Sequence, residues 1–107
     1  MAHDLVMLLQ QIRGLIDARS ADPGKPLITE MEHTLTDGYA RALELEAERL
    51  RLERRIGELA HSLRGPDEAQ ELRVLAERLR TADDELASLR GVLAALQRQV
   101  DADRAAA

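Results

Sequence analysis

The sequence predicts an all-α protein, in which a short N-terminal helix precedes a long antiparallel helical hairpin packed as a coiled coil. Three observations predict it. The 107-residue chain has no Phe or Trp and a single Tyr, so it lacks the aromatic groups that usually dominate the core of a compact mixed fold. Its composition is rich in Ala, Leu, Glu and Arg, with 33% charged residues, which is the make-up of long helices. Apolar residues also recur at alternating spacings of three and four, the period of one helix face.

The first helix is expected over about residues 3–19. Leu5, Leu8, Leu9, Ile12, Leu15 and Ile16 form a broad apolar face there. The stretch "SADPGKP" ends it, because Pro23, Gly24 and Pro26 do not continue a helix; residues 20–26 read as a linker. The second helix is expected over about 27–64. "TEME" matches a capping box, with Thr29 at the N-cap and Glu32 reaching back. Gly65 suits the helix end and Pro66 the first turn of the next helix, so residues 65–66 form the turn. The third helix is expected over about 66–103, with a frayed tail at 104–107. All 107 residues are thereby assigned to one helical domain.

The third helix carries the cleanest repeat: Leu72, Leu75, Leu79, Ala82, Leu86, Leu89, Leu93, Leu96 and Val100 alternate by three and four. The second carries Ile28, Met31, Leu35, Gly38, Ala42, Leu45, Arg49, Leu52, Ile56 and Leu59. Facing residues of an antiparallel pair have position numbers with one constant total. Folding the chain at Gly65–Pro66 satisfies that for Leu59 with Leu72, Ile56 with Leu75, Leu52 with Leu79, Leu45 with Leu86, Ala42 with Leu89, Leu35 with Leu96 and Met31 with Val100. The same rule sets Arg49 opposite Ala82 and Gly38 opposite Leu93. Thr36 and Asp37 offer an alternative cap, so a kink near Gly38 is a second possibility.

A further stripe on the second helix, Thr36, Tyr39, Leu43, Ala47 and Leu50, is not used by a two-helix seam. The first helix is expected to fold back onto it, with Leu9 near Tyr39, or else to pack on a second subunit. A thin structure with an aliphatic core is marginal alone, so a homodimeric helical bundle is expected. Its interaction residues would be Leu5, Leu9, Ile12 and Ile16 with Tyr39, Leu43 and Leu50.

Little in the chain points to chemistry. Ser and His are scattered and there is no Gly-rich phosphate loop, so no nucleophile–base set or nucleotide cradle can be assembled; the expectation is a non-enzyme with no cofactor. The formal net charge of −5 opposes a phosphate backbone, so no nucleic-acid partner is expected. The basic residues are nearly all Arg, with Lys25 the sole lysine, as a GC-rich bacterial coding genome would give. No apolar run approaches the ~20 residues of a membrane span, and the absence of cysteine fits a cytoplasmic setting.

Two alternatives carry named residues. Glu30 with His33 and Glu58 with His61 share the i, i+3 spacing of carboxylate-bridged di-metal sites in ferritin-like bundles, and a metal-dependent oxidase would need both pairs brought together across a dimer. On one helix they lie 28 residues apart, roughly 42 Å, and point away from the seam. Asp67, Glu68 and Glu71 cluster at the hairpin tip, as do the acidic residues of coiled-coil RNA polymerase modulators. Acidic residues in a first helical turn also complement the helix dipole without further function. The principal expectation is therefore a small scaffold or adaptor that acts through helix–helix contacts with itself and with a protein partner.

Overall fold

The computed structural model describes residues 2–22, 27–62 and 64–106. Three helices account for nearly all of them: α1, Ala2–Ala21; α2, Ile28–Ser62; and α3, Pro66–Ala106. The protein is all-α, with no strand among the described residues.

The helix ends follow local chemistry, with three departures from expectation. α1 closes with the Asp22 N–H donating to the Ala18 carbonyl at 3.2 Å, directly before Pro23, which disfavours a helical residue ahead of it. Of the expected linker, Ser20 and Ala21 are helical, while Pro23–Pro26 lie outside the described residues. α2 begins before Thr29: the Met31 N–H donates to the Leu27 carbonyl at 2.9 Å, which puts Thr29 inside the first turn. The capping box does not form, because Thr29 already lies in the helix and is not its N-cap; the Glu32 carboxylate pairs with the Arg104 guanidinium. α3 opens on Pro66 with Asp67 and Glu68 in its first turn, and the Ala69 N–H donates to the Gly65 carbonyl at 3.2 Å. The expected frayed tail is helical through Ala106, where Arg104 is held by its ion pair and Asp103 is buried.

The chain divides into two compact units. Unit 1 comprises the residues up to Ala42 together with those from Ser88 onward, and unit 2 comprises Leu43–Ala87. In unit 2, Leu52, Leu59, Leu75 and Ala82 form one buried cluster, with Ile56, Leu72 and Leu79 packed against it, and Leu45 and Leu86 are buried as well. Arg49 pairs with Asp83 and Arg55 with Glu71, so rising positions on α2 meet falling positions on α3. The Arg49 guanidinium reaches Asp83 at 3.6 Å and Glu53 at 3.7 Å, and Ala82 is buried. Arg55 also lies beside Glu58, at 3.4 Å.

In unit 1 three helical segments enclose one core. α1 contributes Leu5 and Ile12, α2 contributes Met31, Leu35 and Ala42, and α3 contributes Leu89, Leu93, Leu96 and Val100, all buried. Burying each such side chain stabilises by roughly 1.5–3 kcal/mol. The α2 and α3 residues are those of the three–four repeat, which explains why the repeat locates them.

Gly38 is buried inside an uninterrupted α2, so no new helix is capped there. Thr36 Oγ1 donates to the Glu32 carbonyl one turn back at 3.1 Å, a bond compatible with a continuing helix. A Cβ built on Gly38 would overlap Leu93 Cδ2 and press on Leu93 Cγ at 3.3 Å. Leu93 is itself 1% exposed, so its side chain has little room to rotate away.

Gly38→Ala therefore sets two effects against each other. Ala gains about 1 kcal/mol of helix propensity, and overpacking costs about 1–3 kcal/mol. We expect a net loss near 1 kcal/mol by chemical denaturation, and a net gain when the same change is made in a Leu93→Ala background. Equal stabilisation in both backgrounds would show that the close approach carries no cost.

Candidate interaction surface

α1 docks on unit 1 through polar contacts as well as apolar ones. Thr34 and Asp103 are the buried polar residues among those described, at 2% and 4% exposure, and both are answered from α1. Gln11 Nε2 donates to Thr34 Oγ1 at 3.1 Å. The Arg19 guanidinium grips the Asp103 carboxylate with Nε at 2.8 and 2.9 Å and Nη2 at 2.7 Å, and Gln99 adds a fourth bond at 3.0 Å. Buried polar groups must be satisfied, because an unpaired one keeps its full desolvation penalty. The hydrogen bonds from Arg19 hold the Asp103 carboxyl below its usual range, against the opposing effect of burial and with help from Gln99. The same bonds raise the Arg19 guanidinium above its ordinary value.

These contacts correct the expected position of α1. Thr34 and Asp103 lie on one side of the α2–α3 seam, whereas Tyr39 lies on the other by helical phase. Tyr39 is 46% exposed, so the Leu9–Tyr39 contact does not form. Docking on the Tyr39 side would strip water from Glu32, Asp101 and Arg104, which rim it, whereas the Thr34 side offers α1 two matched polar partners. Asp103 was the missed signal in the sequence. It continues the three–four ladder after Leu96 and Val100, and a carboxylate at a seam position requires a cation.

The Tyr39 side is left as an open depression of about 270 Å³. Leu35 and Val100 form its floor, Thr36 and Tyr39 one wall and Gln97 and Asp101 the other, with the Glu32–Arg104 pair closing an end. Gln97 Nε2 donates to Asp101 at 3.0 Å, and the Tyr39 hydroxyl reaches the Gln97 side-chain oxygen only at 3.5 Å. Small-molecule pockets hold roughly 300–1,000 Å³ and enclose their ligand. This depression is smaller and open, as suits part of a contact surface.

The remaining sequence-predicted residues fall as follows. Leu5 and Ile12 are buried, and Leu9 and Ile16 are half-buried within unit 1, so much of the apolar face of α1 is covered inside that unit. Leu43 and Leu50 are 67% and 56% exposed on α2. Val6 and Met7, on the outer face of α1, are also exposed; the sequence reading passed over them because they lie off its apolar stripe. Glu30, His33, Glu58 and His61 are all exposed, the first two in unit 1 and the others in unit 2. Among the described residues no group of three or more His, Asp or Glu side chains could hold a metal ion. At the start of α3, Asp67 is exposed and Glu68 half-buried, while Glu71 accepts from Arg55 Nη2 at 3.1 Å and Nε at 3.3 Å. That pairing raises the Arg55 guanidinium above its ordinary value. No helix among the described residues is long and apolar enough to cross a membrane.

Comparison of the chain with protein-family models, curated proteins and solved structures finds no match. The surface must be read from its own residues.

The Arg19–Asp103 contact has a pH signature. Because the folded carboxyl is held low, its contribution is complete above the ordinary carboxylate range and is lost as pH falls through the lower folded value. We expect Asp103→Asn to melt below the parent at neutral pH, with the gap narrowing as the solution is acidified below about pH 4. A gap in melting temperature that is constant with pH would show that the charge on Asp103 is not what holds α1.

Proposed function

We propose that the protein is a non-enzymatic helical scaffold or adaptor that works through helix–helix contacts, both with a second copy of itself and with a protein partner. Leu43 supports this reading most directly, as a leucine 67% exposed on the longest uncommitted face of α2. Leu50 and Tyr39 are exposed at the same helical phase. Single exposed apolar residues are ordinary; ones at a shared phase of one helix resemble the anchors by which helices recognise one another. α1 does not compete for them, since Gln11 and Arg19 seat it on Thr34 and Asp103. The setting we propose is the cytoplasm, where a cysteine-free chain forgoes nothing by lacking disulfides.

The metal-dependent reading gains no support from the four exposed Glu and His side chains. The acidic-tip reading is weakened by the engagement of Glu71 with Arg55.

Leu43→Glu tests the proposal, because an exposed position tolerates the change in the monomer but not in an apolar contact. Sedimentation velocity across a concentration series should show association in the parent, weakened on the order of 100-fold in the variant, with unchanged helical circular dichroism. A variant that associates as well as the parent would count against Leu43 as an anchor.

A further inference from the structure

α2 carries a stripe whose spacing is the same read in either direction. Positions four, seven and eleven residues from Leu43 are Tyr39, Thr36 and Glu32 on one side, and Ala47, Leu50 and Arg54 on the other. A single helix, Ile28–Ser62, spans all seven. Eleven residues make almost three full turns, so Glu32, Leu43 and Arg54 lie on a line nearly parallel to the helix axis, with the others beside it. All seven are exposed except Glu32, which is half-buried.

We propose that this stripe is the contact between two copies of the chain, with α2 packed against α2 of a second copy, antiparallel about a two-fold axis through the Leu43 pair. The proposal rests on the self-association reading above and gives it a geometry. In a two-fold contact every position meets its mirror image. Leu43 then meets Leu43 of the second copy, Tyr39 meets Ala47, and Thr36 meets Leu50. The large ring is thus set against a small methyl, which lets the helices approach. At both ends Glu32 meets Arg54, giving two pairs of opposite charge. A parallel arrangement would stack Glu32 on Glu32 and Arg54 on Arg54, so the order of charges along α2 selects the antiparallel one. The Glu32 carboxylate already touches Arg104, but it has about four lone-pair sites and accepts a second guanidinium without releasing the first. The occupant is a second copy because the stripe is complementary to itself in spacing, size and charge.

Charge reversal tests the geometry separately from association. Glu32→Arg and Arg54→Glu should each weaken self-association on the order of tenfold, since each replaces two attractive pairs with two repulsive ones. Arg54→Glu is the cleaner variant because it leaves the Glu32–Arg104 pair intact. Mixing the two single variants should restore affinity, because each introduced charge then meets its opposite, and the double variant should recover as a homodimer. The chain has no cysteine, so Leu43→Cys should also oxidise readily to a covalent dimer. A parent that sediments as a monomer at every concentration overturns the self-association reading itself. A parent that associates, but whose affinity ignores charge reversal or is not restored by mixing, overturns this packing and leaves self-association standing.

Discussion

Leu93 occupies the space that a side chain on residue 38 would need, and the packing of unit 1 depends on that close approach. With no side chain at Gly38, the backbone of α2 meets a buried leucine of α3 directly, and the rows on either side interlock: Met31, Leu35 and Ala42 with Leu89, Leu96 and Val100, all buried. Leu35 and Val100 stay covered even where they floor an open depression. A glycine inside a helix costs about 1 kcal/mol against alanine, a penalty that the contact with Leu93 offsets. Tyr39, the next residue, can turn outward because the seam closes without it.

Which side of that seam receives α1 is a separate decision, and it is made by polar groups. An apolar face such as Leu5, Leu9, Ile12 and Ile16 is nearly indifferent to small shifts in position, since burial is not directional. Hydrogen bonds are directional. Gln11 on Thr34 and Arg19 on Asp103 lie two turns apart on α1 and fix its side, direction and register together. A buried ion pair is often no more stabilising than an apolar substitute. Its value here is that α1 on the other face would leave Thr34 and Asp103 unsatisfied.

Much of the fold was legible in the sequence. The three helices, the stop at the Pro- and Gly-rich linker and the opening of α3 at Pro66 all rest on local chemistry, and the buried Leu rows of α2 and α3 follow a period that survives any tertiary arrangement. What was not legible depended on choices between faces. The capping box at Thr29 matched its pattern, but α2 begins one residue earlier, and Glu32 meets Arg104, 72 residues away, which no local rule anticipates. The position of α1 was not legible from apolar stripes alone, because the polar pair that selects its side joins Asp103, at the end of the expected third helix, to Arg19, 84 residues away. The residues expected to make contacts divided accordingly: Leu5 and Ile12 are buried and Leu9 and Ile16 half-buried, while Tyr39, Leu43 and Leu50 are exposed.

In unit 1, α1 leaves the Tyr39 side of α2 uncovered, and the proposed function rests on that exposure. The most direct test of that account uses Tyr39, whose ring protons need no residue assignment because it is the only aromatic side chain of the Phe, Trp and Tyr class in the chain. In an edited nuclear Overhauser spectrum of dilute protein, the Gln11 side-chain amide should show cross-peaks to the Thr34 methyl, while the Tyr39 ring should show them to α2 and α3 residues and none to α1. Cross-peaks from the Tyr39 ring to Leu9 or its α1 neighbours would place α1 on the opposite face and contradict the account.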